Sequence, residues 1–237
     1  QVAAVLDLCP AMFRFVGLTG PIACGKSTVA SRLESAGIPV VDADKVAHDV
    51  IADRDGPVHR GIVATFGKGV LDDDGHVDRQ KVSQVVFRDP SKLQVLNRVT
   101  HPVIVRTMVR QGLSFVLKGY RTVVFDIPLL LRGLKPGQRP SMVGKVIVVT
   151  ADPDVQLKRL MARNGFSEEE ASRRMRAVMS GEEQAKFADY IIDNSGSFED
   201  THAQIDKLLK EMPQGTGIAP VAAVTLGAAG LVALARL

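Results

Sequence analysis

Gly20-Pro21-Ile22-Ala23-Cys24-Gly25-Lys26-Ser27-Thr28 is the stretch on which the fold class of this chain turns. It fits the spacing G-x-x-x-x-G-K-[ST]. In that motif glycines let backbone N–H groups curl round an anion, and the helix that follows adds partial positive charge. The flanks are those the motif requires. Phe13-Arg14-Phe15-Val16-Gly17-Leu18 reads as a short apolar strand, and Val29-Ala30-Ser31-Arg32-Leu33 as the first turns of a helix. In such a loop Lys26 reaches the outer phosphates and the Ser27 hydroxyl serves a magnesium ion.

Working outward, four more short apolar runs each stop at a polar residue. Val40-Val41 ends at Asp42, Thr122-Val123-Val124-Phe125 at Asp126, Lys145-Val146-Ile147-Val148-Val149 at Thr150, and Tyr190-Ile191-Ile192 at Asp193. All are too brief for helices, and helical periods separate them. The spacing therefore predicts an α/β fold with a five-stranded parallel sheet, built from right-handed βαβ units and flanked by helices.

Between the second and third strands, residues 46–119 carry Val82-Val85-Val86 and Leu93-Leu96-Val99-Val103-Val109 at intervals of mostly three or four. A segment this long needs structure of its own and is predicted as an inserted helical subdomain. Pro90 is placed in the first turn of one helix, and Pro102 is expected to interrupt or start another. Residues 153–165 form the next helix candidate. Ser167-Glu168-Glu169-Glu170 is a capping start for a helix running to Met179, and residues 198–212 make the last helix of the body.

A chain of 237 residues that is 46% hydrophobic can build one large core. The net charge of +4 and pI of about 9.2 suit a polyanionic ligand such as a nucleotide. With aromatics at 5% and no arginine-rich tract, nucleic acid is not an expected partner. Of the two cysteines, Cys9 precedes the first strand and Cys24 lies in the loop, so no disulfide is expected and a reducing compartment fits. Two readings of Cys24 stand: a thiol acidified by the helix N-terminus, or a small residue filling the loop, with the second favoured. Met12 is a plausible natural start. At the other end, residues 218–235 (IAPVAAVTLGAAGLVALA) are nearly free of polar groups and come close to the minimum length for crossing a bilayer. Three readings are open there: a C-terminal membrane anchor, a helix docked on the body, or a tail. The location is accordingly cytoplasmic, or tail-anchored to an intracellular membrane and facing the cytosol.

Asp42-Ala43-Asp44 closes the second strand, and ligands of a parallel sheet bind beyond the carboxyl ends of its strands. Two roles fit Asp44: a base that takes the proton of an attacking hydroxyl, or the N-cap of the next helix. Asp126 fits a place beyond the direct ligands of Mg²⁺, or a cap for the following turn.

Taken in order, the motifs resemble the dephospho-CoA kinase family. They are Leu18-Thr19-Gly20, Gly25-Lys26-Ser27-Thr28, Gly37-Ile38-Pro39-Val40, Asp42-Ala43-Asp44, His101-Pro102, Pro128-Leu129-Leu130, Gln156-Leu157-Lys158-Arg159, and the run from Ala188 to Gly196. The resemblance covers residues 13–212. It implies a P-loop kinase fold with a helical lid at 153–186, and ATP-dependent phosphorylation of the ribose 3′-hydroxyl of dephospho-CoA with Mg²⁺. It further implies Asp44 as base, with Lys26 and Arg163 on the transferring phosphoryl group. Gly20, Pro21, Ile22, Ala23, Cys24, Gly25, Lys26, Ser27 and Thr28 would surround ATP together with Arg159 and Asn194, Ser27 would also serve the metal, and Asp42 and His101 would lie near the acceptor. The 46–119 segment would hold the CoA end. By residue type alone His101 is more often structural, and Arg159 also fits a solvated basic face.

Some positions depart from the family pattern. Pro21 and Ala23 stand where glycines are common, and Pro21 removes an N–H that glycine would offer. Arg132 replaces a usual glutamate, Val178 and Ser180 a usual glutamine and proline, and the polar loop 133–144 is longer than usual. Two alternatives are carried alongside: another P-loop small-molecule kinase of the nucleoside monophosphate kinase type, and a non-catalytic, membrane-anchored nucleotide-binding module.

Overall fold

In the computed structural model residues 14–89, 91–135 and 137–213 are described. The first strand β1 (Arg14–Thr19) leads through the loop into α1 (Lys26–Ser35), and then come β2 (Val40–Asp42), α2 (Ala43–Ala52), α3 (Pro57–Phe66) and a 3-10 turn at Lys68–Val70. Next are α4 (Arg79–Arg88), α5 (Ser91–Leu117), β3 (Thr122–Asp126), β4 (Lys145–Thr150) and α6 (Pro153–Asn164). The described part closes with α7 (Glu168–Arg176), α8 (Gly181–Ala185), β5 (Tyr190–Asp193) and α9 (Phe198–Glu211).

The predicted five-stranded parallel sheet is present, in the order β2-β3-β1-β4-β5. β1 pairs in parallel with β3 (Val16 opposite Val124) and with β4 (Leu18 opposite Ile147), and β4 pairs with β5 (Val149 opposite Ile192). The central strands are apolar on both faces because helices cover both faces, and all five residues of β3 are buried. Val16, Leu18, Val29, Leu33, Val124, Ile147, Val149, Ile205 and Leu208 form the main core, which locks α1 and α9 to the sheet. Gly112 lets α5 press on β3: a Cβ there would lie 2.6 Å from Phe125 Cζ. Phe15 meets Phe125 edge-on, with ring centroids 5.3 Å apart.

The described residues divide into two compact units, 14–41 with 112–213, and Asp42–Gln111. The second is helical. Val58, Ile62, Val70 and Val82 form its centre, with Ile51, Phe66, Val85, Leu96, Val99 and Val103 packed around them. Asp72-Asp73-Asp74-Gly75 is a tight polar turn within it. The Asp72 carboxylate accepts the N–H groups of Asp74 (3.1 Å) and His76 (2.8 Å).

Two expectations about helix ends are corrected. Pro102 neither breaks nor starts a helix, because α5 runs through it for 27 residues. Proline removes the N–H that would bond the carbonyl of Arg98. Burial on both sides of it outweighs that loss: Leu96, Val99 and Val103 pack in the helical unit, and Met108 is buried further along. The helix that starts after Ser167 stops at Arg176 rather than Met179. Ser180 is extended (φ −65°, ψ 165°) and caps α8 through a reciprocal bond with Glu183, so α7 cannot run through it. Ser167 caps α7 as expected, accepting from the Glu170 N–H. The expected place of Pro90 and the 218–235 run lie outside the described residues. Among the described residues no helix is long and apolar enough to cross a membrane.

At the amino ends of β4 and β5 the Asp189 carboxylate, with a side chain only 8% exposed, pairs with Arg139 and Lys145 (2.8 Å). It also accepts the Val146 N–H at 2.9 Å. Burial raises its pKa, but the two cations and the N–H outweigh this and hold the carboxyl below the ordinary range. A carboxylate with a depressed folded pKa adds stability above its unfolded pKa, and loses that contribution as the pH falls through the folded value. Asp189→Asn is therefore expected to lower stability by about 1–3 kcal/mol at pH 7. The gap from wild type should begin to narrow as the pH falls below about 4 and close only beneath the lowered folded value. Urea unfolding at pH 7 and in acid checks both.

Candidate active site

The loop leaves β1 at the carboxyl edge of the sheet and winds tightly enough to exclude side chains at two points. A Cβ on Gly20 would meet the Val149 carbonyl oxygen at 2.4 Å and Cys24 Sγ at 2.7 Å. Gly25, the N-cap of α1, has φ +84°, and a Cβ there would fall 2.0 Å from Asn194 Nδ2. Both glycines of the motif are thus required by geometry. Between them Ala23 also takes a left-handed conformation (φ +59°), the one described non-glycine residue that does. This is the position where the family commonly has glycine, and alanine keeps the loop's shape against a local cost.

Helix α1 begins at Lys26, whose ammonium group forms an ion pair with the Asp126 carboxylate at the end of β3. Asp126 is 8% exposed at its side chain and Lys26 is 19% exposed, so the pair sits at the rim of the core. An ammonium has three N–H donors. Asp126 orients the group while leaving donors for an anion in the loop. Ser27, next on the helix, is exposed.

The loop is also held from behind. Asn194, buried after β5, donates from Nδ2 to the Cys24 carbonyl at 2.8 Å. Arg159 on α6 donates to the same oxygen at 3.5 Å. The turn carrying Asn194 is fixed in turn: Asn194 N–H donates to the Thr150 carbonyl at 2.9 Å, and Asp152 N–H to Ser195 Oγ at 2.8 Å. Arg163, one turn beyond Arg159, is exposed and donates from Nε to Asn164 Oδ1 at 2.9 Å. The two arginines are therefore not equivalent. Arg159 is half-buried against the loop, and Arg163 projects from the end of α6.

Burial dominates the Cys24 thiol. It raises the pKa to about 11, even though the Lys26 N–H and the Lys26 charge act the other way. The thiol is neutral at pH 7, so the acidified reading fails and the small, space-filling reading holds.

Within the helical unit the capping question is decided against Asp44. The N-cap of α2 is Asp42, whose carboxylate accepts from Asp44 N–H (2.8 Å) and Lys45 N–H (3.1 Å). Asp44 lies in the first turn with its carboxylate exposed. His101 is exposed on α5.

Sequence reasoning gave Asp126 too little weight. Its signal, an acid at the end of a buried strand, is also what a simple turn cap looks like. Thr201, which bonds Asn194, carried no signal, since nothing local marks a threonine one turn into α9.

Among the described residues, no cluster of three or more His, Cys, Asp or Glu side chains could hold a metal ion by itself. The nearby donors are hydroxyl and carboxylate oxygens, which suit Mg²⁺. That ion is normally held by one or two protein groups together with nucleotide phosphates.

A glycine-bounded anion loop after β1, an ion-paired lysine at its helix start and a β2-β3-β1-β4-β5 parallel sheet define a P-loop kinase. A family model for dephospho-CoA kinase matches residues 14–200. The dephospho-CoA kinase of Carboxydothermus hydrogenoformans is 43% identical over 196 residues, 83% of this chain and 93% of its own. A dephospho-CoA kinase domain-containing protein of Danio rerio is 44% identical over 193 residues, 81% of this chain and 82% of its own. Among solved structures, dephospho-CoA kinase from Campylobacter jejuni superposes with a TM-score of 0.59 at 30% identity, covering 86% of this chain and all of its own. A Thermus thermophilus protein superposes with a TM-score of 0.69 at 33% identity, covering 85% and 98%. The chain belongs to the dephospho-CoA kinase family. Nothing in these matches favours the nucleoside monophosphate kinase or non-catalytic alternatives.

Ala23→Gly is expected to raise stability by about 0.5–1 kcal/mol, since glycine removes the left-handed penalty and returns part of the gain as unfolded-chain entropy. Chemical denaturation measures it. A destabilised Ala23→Gly protein would show that Ala23 carries no strain.

Proposed function

We propose that this protein transfers the γ-phosphoryl group of ATP to the ribose 3′-hydroxyl of dephospho-CoA. The observation that carries this reading is the family match over residues 14–200, which includes the loop, Asp44, Arg159, Arg163 and Asn194. Phosphoryl transfer requires alignment and charge neutralisation more than covalent help. In the proposed arrangement the main-chain N–H groups of the loop cradle the β-phosphate, and Lys26, steadied by Asp126, neutralises charge on the β- and γ-oxygens. The Ser27 hydroxyl would hold the magnesium ion that accompanies ATP, and that ion would supply positive charge to offset the charge of the phosphates.

Asp44 takes the proton of the 3′-hydroxyl as that oxygen attacks. Its freedom from capping supports the role: because Asp42 binds the helix N–H groups, the Asp44 carboxylate keeps its lone pairs for a proton. Arg163 projects into solvent and binds the phosphoryl oxygens when the 153–186 lid closes. Arg159 and Asn194 serve ATP by holding the Cys24 carbonyl. The Asp42–Gln111 unit holds the acceptor, with Asp42 and His101 on the acceptor side.

Lys26→Ala is expected to reduce kcat by about 10²–10³ through lost transition-state charge stabilisation. Asp44→Asn should reduce it by about 10²–10⁴ through the lost base. Circular dichroism should be unchanged in both. A coupled assay with ATP, Mg²⁺ and each of dephospho-CoA, AMP and adenosine is the direct test. Full activity in Asp44→Asn would remove it as the base, and much faster turnover of AMP would overturn the acceptor.

A further inference from the structure

Behind the phosphate loop lies a three-member chain of hydrogen bonds whose direction is fixed. The Cys24 carbonyl can only accept, so the group facing it at 2.8 Å must be the NH₂ end of Asn194. The other end of that amide, Oδ1, then faces the Thr201 hydroxyl at 2.8 Å and must receive its proton. Thr201 Oγ1 also lies 3.2 Å from the Ser197 carbonyl, a competing acceptor at longer range. Both side chains are shut off from water: Asn194 is 6% exposed and Thr201 is fully buried. A rotated amide would set its oxygen against the Cys24 oxygen, with no solvent to soften the repulsion.

The target of this chain is a peptide plane. In a trans peptide the C=O and the next N–H point in opposite directions. Fixing the Cys24 carbonyl toward Asn194 therefore fixes the Gly25 N–H toward the opposite side. Gly25 admits no side chain on the Asn194 side, since its Cβ would overlap Nδ2 at 2.0 Å. The plane is thus gripped at its oxygen and packed at its Cα.

We infer that Thr201 is a positioning residue for ATP. Its hydroxyl sets the orientation of the Asn194 amide, and that amide turns the Gly25 N–H into the anion-binding side of the loop. The inference rests on the loop being the ATP site. It adds a buried residue of α9 that touches neither substrate yet controls the affinity for one of them. The Thr201 helix is itself rigidly mounted: Ser197 and Asp200 form a reciprocal cap at its start, and Asp206 pairs with Arg32 of α1 at 2.5 Å.

The test uses the full chain, with ATP binding followed by calorimetry and kinetics measured for both substrates. Thr201→Val keeps the shape and removes the hydroxyl. It should raise the Kd for ATP about tenfold, as for one lost buried hydrogen bond. The KM for dephospho-CoA should stay within about twofold of wild type, and Thr201→Ser should restore ATP binding. Asn194→Asp adds a pH signature. An ionised carboxylate cannot donate to the Cys24 carbonyl, whereas the protonated acid can, so ATP affinity relative to wild type should recover as the pH falls. Wild-type protein that does not bind ATP would overturn the reading of the loop. Wild-type binding together with Thr201→Val binding ATP equally well, or with both substrates weakened alike, would overturn the inference alone. If Thr201→Val does not fold, a pH-independent affinity ratio in Asn194→Asp overturns it.

Discussion

The ion pair between Lys26 and Asp126 ties the loop after β1 to the end of β3 at the carboxyl edge of the sheet. Lys26 begins the helix after β1 and Asp126 ends β3, 100 residues further along the chain. The two are neighbours only because β3 lies beside β1 in the sheet. A buried carboxylate needs a partner, and a lysine emerging from a tight loop needs orienting. Each meets the other's requirement, and the parallel register of β1 and β3 brings them into reach. The loop, the sheet order and the charge at the phosphate site therefore depend on one another.

A second set of contacts supports the loop from the opposite side. Asn194 follows β5 and Arg159 rises from the helix after β4, and both reach the Cys24 carbonyl. Three segments beyond the carboxyl ends of strands thus reach the loop: Asp126 ends β3, Arg159 lies on the helix after β4, and Asn194 follows β5. The charge beside the loop and the support behind it are shared among segments that meet only in the folded state. Ala23 holds its left-handed conformation in a loop that is fixed at the adjoining Cys24 carbonyl.

Local rules made most of the fold legible. The strands were readable because each is an apolar run closed by a polar residue. The phosphate loop was readable because glycine at Gly20 and Gly25 is a steric requirement that leaves a fixed spacing. The serine caps at Ser167, Ser180 and Ser197 obey nearest-neighbour chemistry, and at Ser167 the run of three glutamates makes the cap plain from sequence. What escaped was non-local. The passage of α5 through Pro102 depends on apolar burial on either side, which outweighs the rule against proline. The choice of Asp42 over Asp44 as cap depends on where β2 ends, one residue finer than periodicity resolves. Asp126 and Thr201 matter through partners 100 and 7 positions away. In neither case does the surrounding sequence announce the pairing.

The junction at Asp42 leaves no slack between strand and helix. Asp42 is both the last residue of β2 and the cap of α2, so no linker separates the two elements. Adding or deleting a residue there would turn the whole of α2 by about 100° about its axis, since an α-helix advances 3.6 residues per turn. The cap would be lost with it, and the Asp44 and Lys45 N–H groups would need another acceptor.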